Sequence, residues 1–232
     1  MQFLLLHTGL EGTPGCSDPE ALGRWVDETV RIGVNLHGAQ LGASSDATTV
    51  RRRNGQLMVT DGPFAETKEQ IAGYDVLECK DMDEALHWAS QHPTTLSGSI
   101  EVRALMGDQA AAPLPPQGRE RARYMMLVCL GEDFEMPELD ATRMPEQLGT
   151  WLATTGAGRQ RLFGDQLAGP DQARTVRKRQ GEVLVTDGPF AETKEVIAGF
   201  DILECSDLDE AIEVAAAHPM AAVRSGGVLR GR

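Results

Sequence analysis

The ten residues Thr60–Glu69, TDGPFAETKE, set two candidate proton acceptors and one ammonium beside a turn that glycine and proline impose. Asp61 and Glu66 are the acceptors, and Lys68 can hold an anionic group of a ligand. The same ten residues recur as Thr186–Glu195, which adds Asp187, Glu192 and Lys194. Lysine is scarce, four residues against eighteen arginines, and two of the four stand in this motif. That distribution favours a ligand role. The competing reading is structural. Each aspartate then accepts N–H groups of its own turn, Phe64 and Phe190 anchor the loop, and the charges form surface pairs worth about 0–1 kcal/mol.

A second set is cationic. If Thr49–Arg53 is a strand, its two-residue period puts Arg51 and Arg53 on one face, and Arg177 and Arg179 repeat the arrangement. Two guanidiniums on one face can clamp a carboxylate or phosphate in two-pronged fashion. As a plain hairpin face they would instead keep a sheet edge from pairing with another chain.

The five histidines divide by position. His92 and His218 precede prolines at helix ends, which reads as structural. His87 has Glu213 as its counterpart and should face solvent. His7 ends the first strand and His37 begins the second, while the repeat puts Cys129 and Phe163 near those places. Adjacent strands would bring His7 and His37 together in the first half only, as a metal or acid–base pair, leaving the two halves unequal. No H-E-x-x-H or comparable spacing supports a metal site, so no metal is expected. Glycine-rich dinucleotide and phosphate loops are missing from the sequence, as is the G-x-S-x-G elbow, and no cofactor is expected.

These residues must be held by elements that occur twice. Thr49–Cys79 matches Thr175–Cys205 at 23 of 31 positions, at an offset of 126. Between the copies, Gly107–Arg121 is rich in proline and alanine and reads as a semi-extended linker. The expected organisation is a first repeat over 1–106, the linker over 107–121 and a second repeat over 122–232. Each repeat reads as strand, helix, strand, hairpin, strand, helix, strand. Pro19 and Pro145 suit first helical positions, with Asp18 as an N-cap. Leu22, Trp25, Val26 and Val30 form an apolar stripe. Asn54-Gly55 closes the hairpin, and Asp81-x-x-Glu84 resembles a capping box. The fold class is therefore α+β, close to the ferredoxin-like split βαβ.

Composition narrows the partners. With 22 basic against 35 acidic residues the net charge is −13, which repels phosphate backbones and anionic membranes. Aromatics are 5%, too few for base-stacking platforms. The four cysteines form no C-x-x-C pair and read as reduced core residues. The apolar run at the start is too short for a leader or a membrane span, so the expectation is a cytoplasmic protein.

The DGPFAETKE motif, followed by I-A-G-[YF]-D-[VI]-L-E-C and a D-x-D-E-A helix, resembles the YCII-related family in its DGPF-motif branch. The resemblance covers both halves. It implies a dimeric α/β-barrel architecture, in which two ferredoxin-like units join their sheets face to face, here as a pseudo-dimer within one chain that can associate further. Part of the wider family carries a candidate His–Asp pair with the histidine near the first helix. Neither first helix here has a histidine, so no residue is carried over.

Three functions fit. One is a cofactor-free enzyme that moves a proton on a small, anionic molecule, using Asp61 or Asp187 with a nearby histidine or lysine. Another is a non-catalytic ligand-binding or regulatory accessory protein, and the third a structural interaction module. A cleft holding a carboxylate of displaced pKa favours the first. An exposed apolar strip without a cleft favours the last.

Overall fold

The computed structural model describes residues 1–10, 18–53, 55–63, 69–107, 111–131, 138–190, 195–222 and 226–231. The first copy contains β1 (Gln2–Leu10), α1 (Pro19–Arg31), β2 (Asn35–Gln40), β3 (Thr48–Arg53), β4 (Gln56–Asp61), β5 (Glu69–Glu78), α2 (Met82–Gln91) and β6 (Ser99–Ala104). The second repeats the order as β7 (Ala122–Gly131), α3 (Glu138–Ala157), β8 (Arg161–Gln166), β9 (Arg174–Arg179), β10 (Glu182–Asp187), β11 (Glu195–Cys205), α4 (Leu208–Ala217) and β12 (Gly226–Arg230).

Local chemistry accounts for most boundaries. Asp18 caps α1 by accepting from Ala21 N at 2.9 Å, with Pro19 in the first turn. Asp81 and Glu84 form a variant of the expected capping box: the Asp81 carboxylate accepts from Glu84 N, while Glu84 accepts from the N–H of Lys80, one residue before the cap. Asp207 and Glu210 repeat it on α4. One boundary differs. The helix α3 begins at Glu138, so Pro145 lies inside it rather than at its first position. The second copy has more chain between its first strand and the proline, from Gly131 to Pro145 against Leu10 to Pro19, and the helix begins ahead of the proline.

The sheets do not follow the copies. One sheet runs β10-β9-β6-β1-β5-β2 and the other β4-β3-β12-β7-β11-β8. Each hairpin has crossed over: β3 pairs with β12 through Thr48–Val50, and β9 pairs with β6 through Arg174–Val176. The exchange buries Val50 under α4 and Val176 under α2, both at 0% exposure. Each such side chain contributes about 1.5–3 kcal/mol to holding the halves together. The sheets pack face to face over Leu4, Leu6, Tyr74, Val76, Met125, Leu127, Phe200 and Ile202. Helices cover the two outer faces, giving an α/β/β/α stack with ferredoxin-like halves. The segment after β6 also packs: Ala111 N donates to Gln2 Oε1 and Leu114 lies on the inter-sheet core. Beyond the helical cover, β4 and β10 expose Leu57, Met58, Val59, Val183, Leu184 and Val185.

Candidate functional site

In an antiparallel strand, alternate side chains face one layer. On β1, Phe3, Leu5 and His7 face the helices α1 and α2; on β5, Gly73, Asp75 and Leu77 do the same. Gly73 stands opposite His7, and Asp75 opposite Gly38 of β2. Gly38 is required there, because a Cβ would run into Asp75 Oδ1. The sheet thus brings a histidine and an aspartate, 68 residues apart in the chain, onto one face.

His7 Nε2 lies 2.9 Å from Asp75 Oδ2, within ion-pair reach though without an aligned hydrogen bond. Asn35 Nδ2 donates to the other oxygen, Oδ1, at 2.8 Å and fixes the carboxylate plane. His92 completes the group. Its Nε2 is 3.8 Å from Asp75 Oδ2, and its ring centroid is 4.3 Å from that of His7. The residue is held from both sides: Trp25 meets it edge-on at 4.6 Å, and Thr94 N donates to Nδ1 at 3.2 Å. That last bond fixes the tautomer. With Nδ1 accepting, the ring proton sits on Nε2, a buried donor with no hydrogen-bond partner among the described residues.

His7, Asp75 and His92 are close enough to be considered as metal ligands, with their ligand atoms all within 4.8 Å. The His92 tautomer argues against that use. A metal would need the Nε2 lone pair, and freeing it would require Nδ1 to take a proton and lose its bond to Thr94 N. Burial lowers the His92 pKa to about 2, with the charge of His7 adding to the effect, so the ring is neutral at ordinary pH.

A cavity of about 480 Å³ opens over these residues, floored by His7, Asn35, Asp75 and His92 and roofed by α1. His37 stands at its edge and also lines a smaller cavity of about 190 Å³ with Arg123 and Tyr124. Burial lowers the His37 pKa to about 4; Asp75 opposes the shift and Arg123 adds to it. The two histidines singled out in the sequence therefore share one cavity, and the carboxylate between them is Asp75.

Most of the other sequence candidates lie elsewhere. Asp61 is exposed at the end of β4. The Asp187 side chain is 88% exposed and pairs with Arg174 at 3.1 Å. What ties the two turns down is Thr49 Oγ1 donating to Gly62 O and Thr175 Oγ1 donating to Gly188 O, with both glycines at φ +93°. Phe190 packs on the inter-sheet core and its N–H donates to the buried Glu101. Arg51 is 45% exposed and reaches Glu195 at 3.2 Å, Arg177 is half-buried and Arg179 exposed; none lines the cavity. Arg53 ends β3, and nothing is described of its side chain. Glu66, Lys68, Glu192, Lys194 and Phe64 lie outside the described residues.

The matching place in the second copy is built differently. The strand register gives His7 the counterpart Val128, since Gly199, the partner of Gly73 in the repeat, faces Val128. This corrects the expectation of Cys129, which faces the inter-sheet core. Arg161 replaces Asn35 and grips Asp201 at 2.5 Å, and Phe163 replaces His37. His218 repeats the His92 geometry, accepting from Met220 N and lying 4.6 Å from Trp151.

A family model described as "YCII-related domain" matches residues 1–107 and again 122–229. The chain belongs to the YCII-related family. An uncharacterized protein of Rhizobium meliloti (strain 1021) is 45% identical over 71 residues, which is 29% of this chain. The chain covers 56% of that relative's length. Among solved structures, that of a candidate chlorite dismutase is similar with a TM-score of 0.46 at 8% identity. The similarity covers 100% of this chain and 94% of that one. For this YCII-related tandem, the sequence signals for Asp75 and His92 were present but quiet: the aspartate of I-A-G-[YF]-D recurs at Asp201, and His92-Pro93 recurs at His218-Pro219.

Proposed function

We propose that the first half binds a small molecule and moves a proton on it, with His7 as the base and Asp75 as its charge partner. The observation that carries this reading is the 2.9 Å approach of His7 Nε2 to Asp75 Oδ2 at the floor of a cavity large enough for a ligand. With its proton on Nε2 toward Asp75, His7 keeps Nδ1 as the basic nitrogen. Asp75, oriented by Asn35, stabilises the imidazolium that forms. His92 supplies a fixed N–H for the oxygen on which negative charge develops. The second half, with Val128 and Arg161, serves as scaffold.

A thermal-shift screen of a metabolite library on the full chain tests this. Hits should lose their effect in His7→Gln and in Asp75→Asn, and the acidic hydrogen of a hit should wash out in D2O faster with wild type. A hit whose stabilisation survives both substitutions overturns the site; binding without wash-out leaves a ligand-binding protein instead of an enzyme.

The exposed apolar residues of β4 and β10 favour a second role in association. Sedimentation of wild type against Leu57→Lys/Leu184→Lys separates it from the first.

A further inference from the structure

The roof of the His7 cavity is an apolar stripe of α1. Pro19, Leu22, Val26 and Val30 follow at steps of three and four along α1, and all four line the cavity. In the other half Leu148 and Leu152, the counterparts of Leu22 and Val26, pack on the second sheet's outer core; in the first half Val26 packs on the outer core in the same way, and Leu22 is half-buried at the cavity wall.

The floor beneath is polar but has no spare positive charge. Among the described residues, no lysine or arginine lines the cavity. Asp75 gives one oxygen to Asn35 and the other to His7. When His7 carries a proton the pair is neutral, and a bound anion would find no cation of its own. Burying a charge without a partner is strongly unfavourable, and doing so beside Asp75 more so. The second copy shows the alternative. There Arg161 brings a cation to the position of Asn35, but its guanidinium goes to Asp201 and to Gly164 O.

Resting on the reading of His7 and Asp75 as a ligand site, we infer that this cavity takes an uncharged molecule with an apolar body and one weakly acidic polar head. The head meets His7 and the His92 N–H, and the body lies under Leu22, Val26 and Val30. This departs from the anionic ligand that the arginine and lysine motifs suggested, since none of those described lines the cavity.

Three probes with one body and different heads decide it: p-cresol, p-toluate and 4-methylbenzylammonium, titrated into the full chain by ligand-observed NMR near neutral pH. p-Cresol should bind roughly tenfold or more tighter than either charged probe. Leu22→Arg should narrow the gap by raising p-toluate affinity. Asn35→Arg should abolish binding of all three with the melting temperature preserved, because the chain already houses that arrangement around Asp201. Tightest binding by a charged probe, or no binding of p-cresol, overturns the substrate class. Binding that persists in both Asn35→Arg and Asp75→Asn shows instead that the His7–Asp75 site itself was misassigned.

Discussion

Asn35 and Arg161 occupy the same position in the two copies and bond the same oxygen of equivalent aspartates, Asn35 reaching Asp75 Oδ1 at 2.8 Å and Arg161 reaching Asp201 Oδ1 at 2.5 Å. A neutral partner leaves Asp75 free to serve His7. A guanidinium takes the charge of Asp201 for itself, and His7 has no equivalent there. One exchanged side chain and one missing histidine separate the two halves.

The asymmetry can be reversed. Arg161→Asn with Val128→His should install a second histidine–aspartate pair and add a second binding event for any ligand of the first site. Titration calorimetry reads the stoichiometry. His7→Ala alone should remove ligand stabilisation, while Val128→Ala should leave it intact. Equal losses from these two single substitutions would sink the idea of unequal halves.

Arg103 is 2% exposed and joins the copies. It donates to Glu101, to Ala168 O and to Ile197 O, while Glu101 holds Phe190 N of the second DGPF turn. Arg103→Met leaves Glu101 charged and buried, and should cost about 3–5 kcal/mol in urea unfolding. Replacing both, Glu101→Leu with Arg103→Met, should recover much of that. A single mutant within about 1 kcal/mol of wild type would refute the clamp.

The DGPF turns should depend on threonine more than on aspartate. Asp187→Ala removes an exposed ion pair and should change stability by about 0–1 kcal/mol. Thr175→Val loses a hydroxyl bond from a side chain only 1% exposed and should cost about 1–3 kcal/mol. The reverse order in thermal unfolding would restore the aspartate as the anchor.

Stability should fall as the pH drops below 6.5. His92 and His218 are buried and His37 is half-buried, and desolvation lowers His37, His92 and His218 to about 4, about 2 and about 4. Unfolded, each takes a proton near 6.5, so between 6.5 and about 4 the unfolded chain binds more protons and gains on the native state. Asp201 opposes this. Burial raises it to about 7 against the pull of Arg161, so the native state takes that proton first. Three groups against one leave a net loss on acidification, at about 1.4 kcal/mol per pH unit for each unbalanced group. Asp201→Asn should steepen the decline. Denaturant unfolding that is flat between about pH 7 and pH 5 would contradict the assignment.

The sequence by itself determined the repeat, the order of its elements, the caps at Asp18 and Asp81 and the α+β class. Those depend on residues close together in the chain, where apolar period and capping chemistry act locally. The destination of the hairpins was decided only in three dimensions: β3 and β9 carry nearly the same residues, so nothing local says which of two similar sheet edges each will join. The site followed the same logic. Asp75 stands in an apolar strand and His92 at a helix end, 68 and 85 residues from His7, and strand register together with the tight Gly38 contact brings them into one cluster. Even the counterpart of His7 needed the register, because the opening strands align at an offset of 121 and the later elements at 126. A shift of one residue along a strand exchanges its two faces, and that difference separates Val128 under the helices from Cys129 between the sheets.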